Sequence, residues 1–486
     1  MKQTLLLLVT LAITSFAAQA EDGEFKYSNT DFKALYNQHR FAQPQQTPWA
    51  GTYWPYGEDG LAWRYRAGEN SPAEKYDLFA RQGKKATLWE KREHACSTLP
   101  KEEQEGCRGW WGHCNAWSAA AIKEAEPRES RKVGDVQWNV GDQKALLTEL
   151  WMESGSLFAG DTNKSVKTGN WVTDANSPDA RSLTQSGQSN FEAFWDVVPR
   201  HFFMIFTNYV GILRTGVVID RFTGDEVWNQ PVVGYRFLPI RAQDIQKPVV
   251  GGNGRSVYPV SLRVKIFWGN DQDVEPDDVS SVFDIKKISD EERVESFGRA
   301  GASYEGRLLK FDLHFDAPVV MTSPTEVQSA GRLVGSGIWE HQKNPAAYAR
   351  KFDETHPDFI WLPTSLYASH GSSNPYIQAK TVYDIVKGTA TPTTPPTRPT
   401  EPRGGTDEEQ GPVYTFEFVL AKLRVGAQAD PVKERLKHAL KRSGIQTSIV
   451  KSEITFTEGK ASVRVRVLDG SPQAKLANAF REAGFI

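Results

Sequence analysis

Cys114 follows the run Gly109-Trp110-Trp111-Gly112-His113 and leads into Asn115-Ala116-Trp117-Ser118, then Ala119-Ala120-Ala121-Ile122. Small and apolar residues after a cysteine are how a helix packed into a core begins, and the glycines and tryptophans before it read as a tight approach loop. The spacing predicts Cys114 at or near a helix N-terminus, where unpaired N–H groups and the macrodipole favour a thiolate. The chemistry of such a sulfur is nucleophilic attack on an acyl carbon. That chemistry requires a base to hold the thiol proton and a third group to orient the base. The backbone N–H of Cys114 is the expected oxyanion donor. The indole N–H groups of Trp110 and Trp111 are candidates for a second donor, with core packing as their alternative role. Gly109 and Gly112 let the loop turn closely and let substrate approach the sulfur.

The remaining parts must come from later elements. The Cys-x-Ala-aromatic-Ser pattern is similar to the nucleophile segment of papain-like enzymes. In those enzymes the histidine stands on a later strand and the orienting residue on the next. Nine histidines compete for the role. His39 and His94 precede the cysteine, His113 adjoins it and points elsewhere, and His438 lies beyond a linker. His201 opens the apolar run Phe202-Phe203-Met204-Ile205-Phe206, and Asp220 ends Gly216-Val217-Val218-Ile219. If these are adjacent antiparallel strands, the start of one meets the end of the next. Cys114, His201 and Asp220 are the expected triad, with His314 the main rival base and His341, His356 and His370 ranked below it.

The first residues carry an apolar run from Leu5 to Phe16, then Ala18-Gln19-Ala20 and the acidic Glu21-Asp22. That is the pattern of a secretory signal peptide over 1–20, cleaved near Ala20, which predicts export. No later apolar run is long enough to span a bilayer. A net charge of -2 suggests neither nucleic acid nor an anionic membrane as partner. The three cysteines leave one unpaired in an exported chain. Cys96 and Cys107 lie close enough to bridge, which leaves Cys114 free; the competing arrangements are three free or mispaired thiols, or a Cys107–Cys114 bridge.

The reading along the chain is α+β. Helical patterns cover Asp31–Tyr36, Ser71–Glu93 (Ala73, Tyr76, Leu78, Phe79, Leu88) and the stretch from Asp142 to Leu150, with Pro48–Tyr56 laid over a core as an aromatic loop. A polar loop over Thr162–Ser189 and a short helix over Asn190–Val198 follow. β-rich runs are expected over His201–Val210, Ile212–Ile219, Glu226–Leu238, Val257–Trp268 and Leu308–Phe315. A Thr/Pro-rich linker covers 389–412, and residues 413–486 alternate as a small βαββα module of unidentified ligand.

The segment Val227-Trp228-Asn229-Gln230-Pro231-Val232-Val233-Gly234, followed by aromatic and basic residues, resembles the surface segment by which plants sense a secreted oomycete enzyme. Together with Gly109–Ser118 and Pro48–Tyr56, it makes the chain similar to the transglutaminase elicitor family of oomycete pathogens and marine vibrios. The likeness runs over roughly Asp31 to Ile385, within a catalytic region of 21–388. It implies a papain-like core over roughly 75–270 with extra lobes, and cross-linking of protein or peptide glutamines to lysine or other amine acceptors through a cysteine thioester. Trp110, Trp111, Gly112 and Trp228 would line the substrate groove. Calcium dependence is also implied; Asp271, Asp273, Glu275, Asp277 and Asp278 are the densest carboxylate cluster, without the glycine and spacing of an EF-hand. The competing functions are a papain-like peptidase or glutamine deamidase using the same residues, and a non-enzymatic adhesin with an inert Cys114.

Overall fold

Leu262, Val264, Ile266 and Trp268 bury on one side of a strand, and Leu309, Phe311, Leu313 and Phe315 do so on the next. This period of two builds the longest antiparallel pair of the chain. The structure, a computed structural model, describes residues 23–98, 109–159, 197–221, 227–250, 255–272, 279–295, 302–340, 356–366, 372–390, 413–419, 454–457 and 460–466.

In chain order the strands are β1 (Gly23–Glu24), β2 (Phe41–Ala42), β3 (Arg131–Val133), β4 (Val136–Trp138), β5 (Ser154–Ala159), β6 (Val218–Asp220) and β7 (Asn229–Phe237). They continue as β8 (Val249–Val250), β9 (Ser256–Gly269), β10 (Tyr304–Phe315), β11 (Val320–Ser323), β12 (Glu326–Ser329), β13 (Ile338–Trp339) and β14 (Ile360–Leu366). A ten-stranded sheet runs β1-β5-β14-β6-β7-β9-β10-β13, with β2 beside β7 and β8 beside β9. Its pairings are antiparallel except β1 with β5. A separate sheet pairs 413–419 and 454–457 with 460–466. The two helices expected in that βαββα module lie outside the described residues, as do the leader, residues 391–412 of the linker, the 162–189 loop and most of the 190–198 helix.

Seven α-helices are described: α1 (Phe32–His39), α2 (Pro72–Ala80), α3 (Lys85–His94), α4 (Cys114–Lys123), α5 (Val140–Leu150), α6 (Pro199–Ile205) and α7 (Ala379–Lys387). Their starts are written locally. Ser71 and Glu74 form a capping box ahead of Pro72, and Asn139 and Asp142 form another for α5. Leu78 and Leu88, expected in the core, are instead exposed, because α2 and α3 bury the faces carrying Tyr76, Phe79 and Ala86.

The sheet separates two cores. Ile219, Ile360 and Leu362 face one, shared with α1 and α6. Val218, Phe158 and Trp361 face the other, shared with α2, α4, α5 and α7. Successive side chains of a strand point to opposite faces, so neighbours in sequence serve different cores.

The β-rich run expected over His201–Val210 is in fact helical, and of the run expected over Ile212–Ile219 only the end forms a strand. α6 passes directly into a π-helical stretch over Phe206–Ile212, and β6 keeps only Val218–Asp220. Pro199 sits in the first turn, and Phe202, Phe203, Phe206, Tyr209 and Val210 bury at helical spacing. The widened turn carries polar insertions: Thr207 Oγ1 donates to the Phe203 carbonyl at 2.7 Å and Asn208 Nδ2 to the Met204 carbonyl at 2.9 Å. Asn208 also accepts from Asn29 N–H at 2.9 Å, and Tyr209 Oη accepts from Lys26 N–H at 3.1 Å. The π segment thereby holds the start of the chain. Among the described residues, no helix is long and apolar enough to cross a membrane.

Candidate active site

Cys114 is the first residue of α4 and a free, buried thiol, so it is not bridged to Cys107. Cys107 lies outside the described residues. Two partners meet the sulfur among the described residues. Sγ donates to the Val227 carbonyl at 3.6 Å, and Asn229 Nδ2 donates to Sγ at 3.4 Å.

Asn229 is held from three directions. Its Oδ1 accepts from the buried Trp361 indole at 2.7 Å, its carbonyl accepts from Ser118 Oγ at 2.9 Å, and its Nδ2 is thereby aimed at the sulfur. Asp220 is its register partner across β6 and β7, and the Trp228 N–H donates to Asp220 Oδ1 at 2.9 Å. Because Val218 faces the α4 core, Asp220, two residues on, faces it too.

A thiolate was the expected resting state, but the thiol is pushed above its ordinary range. Burial is the main cause; the Asn229 side-chain and backbone N–H groups oppose it, the Asp220 charge adds to it, and the Asn115 N–H opposes it. Helix-end amides do favour the anion, but burying a charge outweighs them. Asp220→Asn keeps an oxygen for the Trp228 N–H and removes the repulsion. It is therefore expected to move the pH profile of iodoacetamide labelling at Cys114 downward; an unmoved profile would show that the carboxylate does not act on the sulfur.

The approach loop is clamped by the Trp- and Tyr-rich segment. Tyr56 N–H donates to the Trp111 carbonyl at 2.8 Å, and Tyr53 Oη to the Gly109 carbonyl at 3.0 Å. A Cβ on Gly112 would lie 2.5 Å from the Tyr53 carbonyl oxygen, so only glycine fits there. Trp54 adopts φ 45 while fully buried, a left-handed conformation held by the packing of Trp63 and Tyr65 around its ring. Trp110 is buried, and the Trp228 ring meets Tyr53 edge-on at 5.3 Å.

The segment Val227–Gly234 thus borders the sulfur directly. Pro231 pairs with Val218 of β6, and the β7–β9 register shifts just beyond it, between Val232 and Gly234. A Cβ on Gly234 would meet Phe283 Cε1 at 2.8 Å and the Ala42 carbonyl at 3.1 Å. Gln230 Nε2 donates to Asp271 at 3.3 Å.

The structure brings Cys114 and Asp220 to one face and leaves His201 on the other. His201 is exposed on α6, a helix of the opposite core, with its ring 6.3 Å from that of Tyr27. The strand mouth that was to present it does not exist. His314 stands on β10, three strands from β6 in the sheet, and His356 packs against Trp339 at 4.7 Å. His341, His370 and His438 lie outside the described residues. Asn229 as a partner of the sulfur is the residue that sequence reasoning missed; its signal was an amide side chain in a strand otherwise destined for burial.

Of the acidic turn, only Asp271 is described; Asp273, Glu275, Asp277 and Asp278 lie outside the described residues. Among the described residues, the one grouping of three or more potential ligands is Glu90, His94, His113 and Glu149. Calcium takes six to eight oxygens, so two imidazoles do not suit it. The described residues do not fit calcium.

The transglutaminase elicitor family model matches residues 25–91 and 81–267. The GP42 transglutaminase from Phytophthora sojae is a similar solved structure, at 20% identity and a TM-score of 0.47, over 74% of this chain and 93% of that one. No curated protein matches the chain. The family match covers half of the sequence and includes the cysteine segment, its clamp and the strand beside it, and the chain belongs to the transglutaminase elicitor family.

Proposed function

We propose that this chain is an exported protein-glutamine γ-glutamyltransferase with Cys114 as nucleophile. The observation that carries the reading is a free sulfur at a helix start with a fixed amide, Asn229, donating to it. The sulfur attacks the γ-carboxamide carbon of a protein-bound glutamine, forming a C–S bond. Its proton passes to a base on the Asp220 side of the sheet and on to the leaving nitrogen, which departs as ammonia. Asp220 is the ionisable side chain that the described residues offer there. A lysine amine then attacks the thioester, forms the isopeptide and returns the sulfur to its thiol.

The Asn229 amide and the backbone N–H groups around Cys114 and Asn115 are the donors available to the developing oxyanion. Tyr53 and Trp228 form an aromatic wall beside the approach loop that favours an amine over water as acceptor. A Cys96–Cys107 bridge would pin the approach loop and leave Cys114 free. The linker and C-terminal module are assigned to binding or anchoring outside the catalytic region.

Dansylcadaverine incorporation into casein tests the reading. Incorporation supports it; casein cleavage would make the chain a peptidase, and ammonia release alone would make it a deamidase. With His201 across the sheet, His201→Ala is expected to keep at least about half of the wild-type rate. Loss of most activity in a folded His201→Ala would overturn this assignment of faces to functions.

A further inference from the structure

Behind the nucleophile, three helices converge on a second set of donors. Glu90 comes from α3, His94 from its last turn, His113 from the residue before Cys114, and Glu149 from α5. Glu90, His113 and Glu149 are fully buried, and one ligand atom from each of the four lies within 4.8 Å of the others.

Four buried polar atoms of this set have no hydrogen-bond partner: Glu90 Oε2, His94 Nδ1, His113 Nε2 and Glu149 Oε2. The other sides of these groups are occupied. His113 Nδ1 lies 3.3 Å from the Trp54 carbonyl, which fixes the proton on that nitrogen and turns the Nε2 lone pair inward. Glu90 Oε1 accepts from Leu61 N–H at 3.0 Å, and Glu149 Oε1 from Asn374 N–H at 2.7 Å. Outer hydrogen bonds that orient carboxylates and an imidazole toward a shared centre are what a metal site requires.

Distances separate a metal site from a plain ion-pair network. His113 Nε2 is 3.3 Å from Glu90 Oε1 and 3.4 Å from Glu149 Oε2, and His94 Nδ1 is 3.3 Å from the same Glu90 Oε1, which also accepts from Leu61 N–H. Charge-assisted hydrogen bonds close to about 2.7–2.9 Å. A tetrahedron of N and O ligands at zinc bond lengths has six edges of about 3.3–3.5 Å, and these three distances match three of them, with all four donor atoms within 4.8 Å of one another. Charge points the same way, because two buried carboxylates need two positive charges, which one divalent cation supplies. Gly60, at φ 57, approaches so closely that a Cβ there would lie 2.6 Å from Glu90 Oε1.

We propose that Glu90, His94, His113 and Glu149 bind a divalent transition-metal ion of the zinc class, which ties α3 and α5 to the start of the Cys114 helix. The two imidazoles beside two carboxylates select zinc or iron(II) over calcium. Metal content rather than cross-linking is the readout, so this site stands or falls separately from the acyl-transfer reading.

The full chain, produced in zinc-replete medium and dialysed against metal-free buffer, is expected to carry about one zinc per chain by mass spectrometry of the ash. Glu149→Gln and His113→Asn are each expected to lower occupancy at least about tenfold. Should either variant fail to fold, cobalt(II) loading of the wild-type chain serves instead. It is expected to give tetrahedral d–d absorption without a thiolate charge-transfer band, unchanged in Cys114→Ser. Loss of that absorption in Cys114→Ser would move the ion to the sulfur and overturn the site. Wild-type chain that takes up less than about a tenth of an equivalent from excess zinc, with a thermal midpoint unmoved by chelator, would also overturn it, leaving an imidazolium–carboxylate network.

Discussion

Cys114→Ala is expected to reduce amine incorporation by at least about four orders of magnitude while the chain stays folded. Among the described residues Cys114 is the free thiol on which the thioester can form. The cost to the fold is small, because removing one buried sulfur leaves a small cavity worth about 1–2 kcal/mol. Casein labelling by dansylcadaverine and a thermal melt on the same preparation check both halves. Residual incorporation above about a hundredth of wild type in a folded variant would remove Cys114 from the chemistry.

Asn229→Ala carries the second largest effect. Loss of one preorganised donor at an oxyanion typically costs about 10²–10³ in turnover. Here the same amide also lowers the pKa of the thiol, so its loss has a second, separately readable consequence. The thiol is already pushed up by burial, and without Asn229 it is pushed further. Labelling of Cys114 by iodoacetamide should therefore shift to higher pH in Asn229→Ala, opposite to Asp220→Asn. The variant also strands the buried Trp361 N–H, a loss of about 1–3 kcal/mol. Trp361→Phe removes that donor while keeping Asn229, so it is expected to fall between wild type and Asn229→Ala in turnover. An Asn229→Ala chain with near wild-type turnover and an unshifted labelling profile would show that the amide only braces β7.

The contrast between Cys114 and His201 shows which parts of this site were legible in the sequence. A cysteine between a Gly/Trp loop and a run of alanines reads as a helix start because small residues let that helix pack closely. The structure agrees at Cys114 itself. Val257–Trp268 and Leu308–Phe315 were legible as strands for a similar reason, since alternation has one structural meaning when one face is buried. Phe202-Phe203-Met204-Ile205-Phe206 has no alternation to read. A continuous apolar run fits a buried strand and a buried helix equally, and the bias toward strand ignored Pro199, which favours a helix start.

That single choice of element moved His201 to the site, because a strand there would have paired with β6. Asp220 still comes to the Cys114 face because the end of its expected strand forms as Val218–Asp220, and its face follows from a period of two. Asn229 was visible as part of a family-like segment, but its partner could not be read. The contact joins residues 115 apart in the chain and depends on how β7 pairs with β6, which leaves no local signature. The resting ionisation of Cys114 was misjudged for a different reason. Helix position is legible in sequence, whereas the depth of burial that opposes ionisation is a property of the assembled core.

The π-helical clip on the start of the chain also governs when folding can finish. Lys26 and Asn29 bond to Tyr209 and Asn208, some 180 residues later. At about 5–20 residues per second, a ribosome needs roughly 10–40 s to deliver the second half of that clasp after the first has emerged. Until then Lys26 and Asn29 lack these two acceptors, so this corner of the fold closes only after Tyr209 has been made.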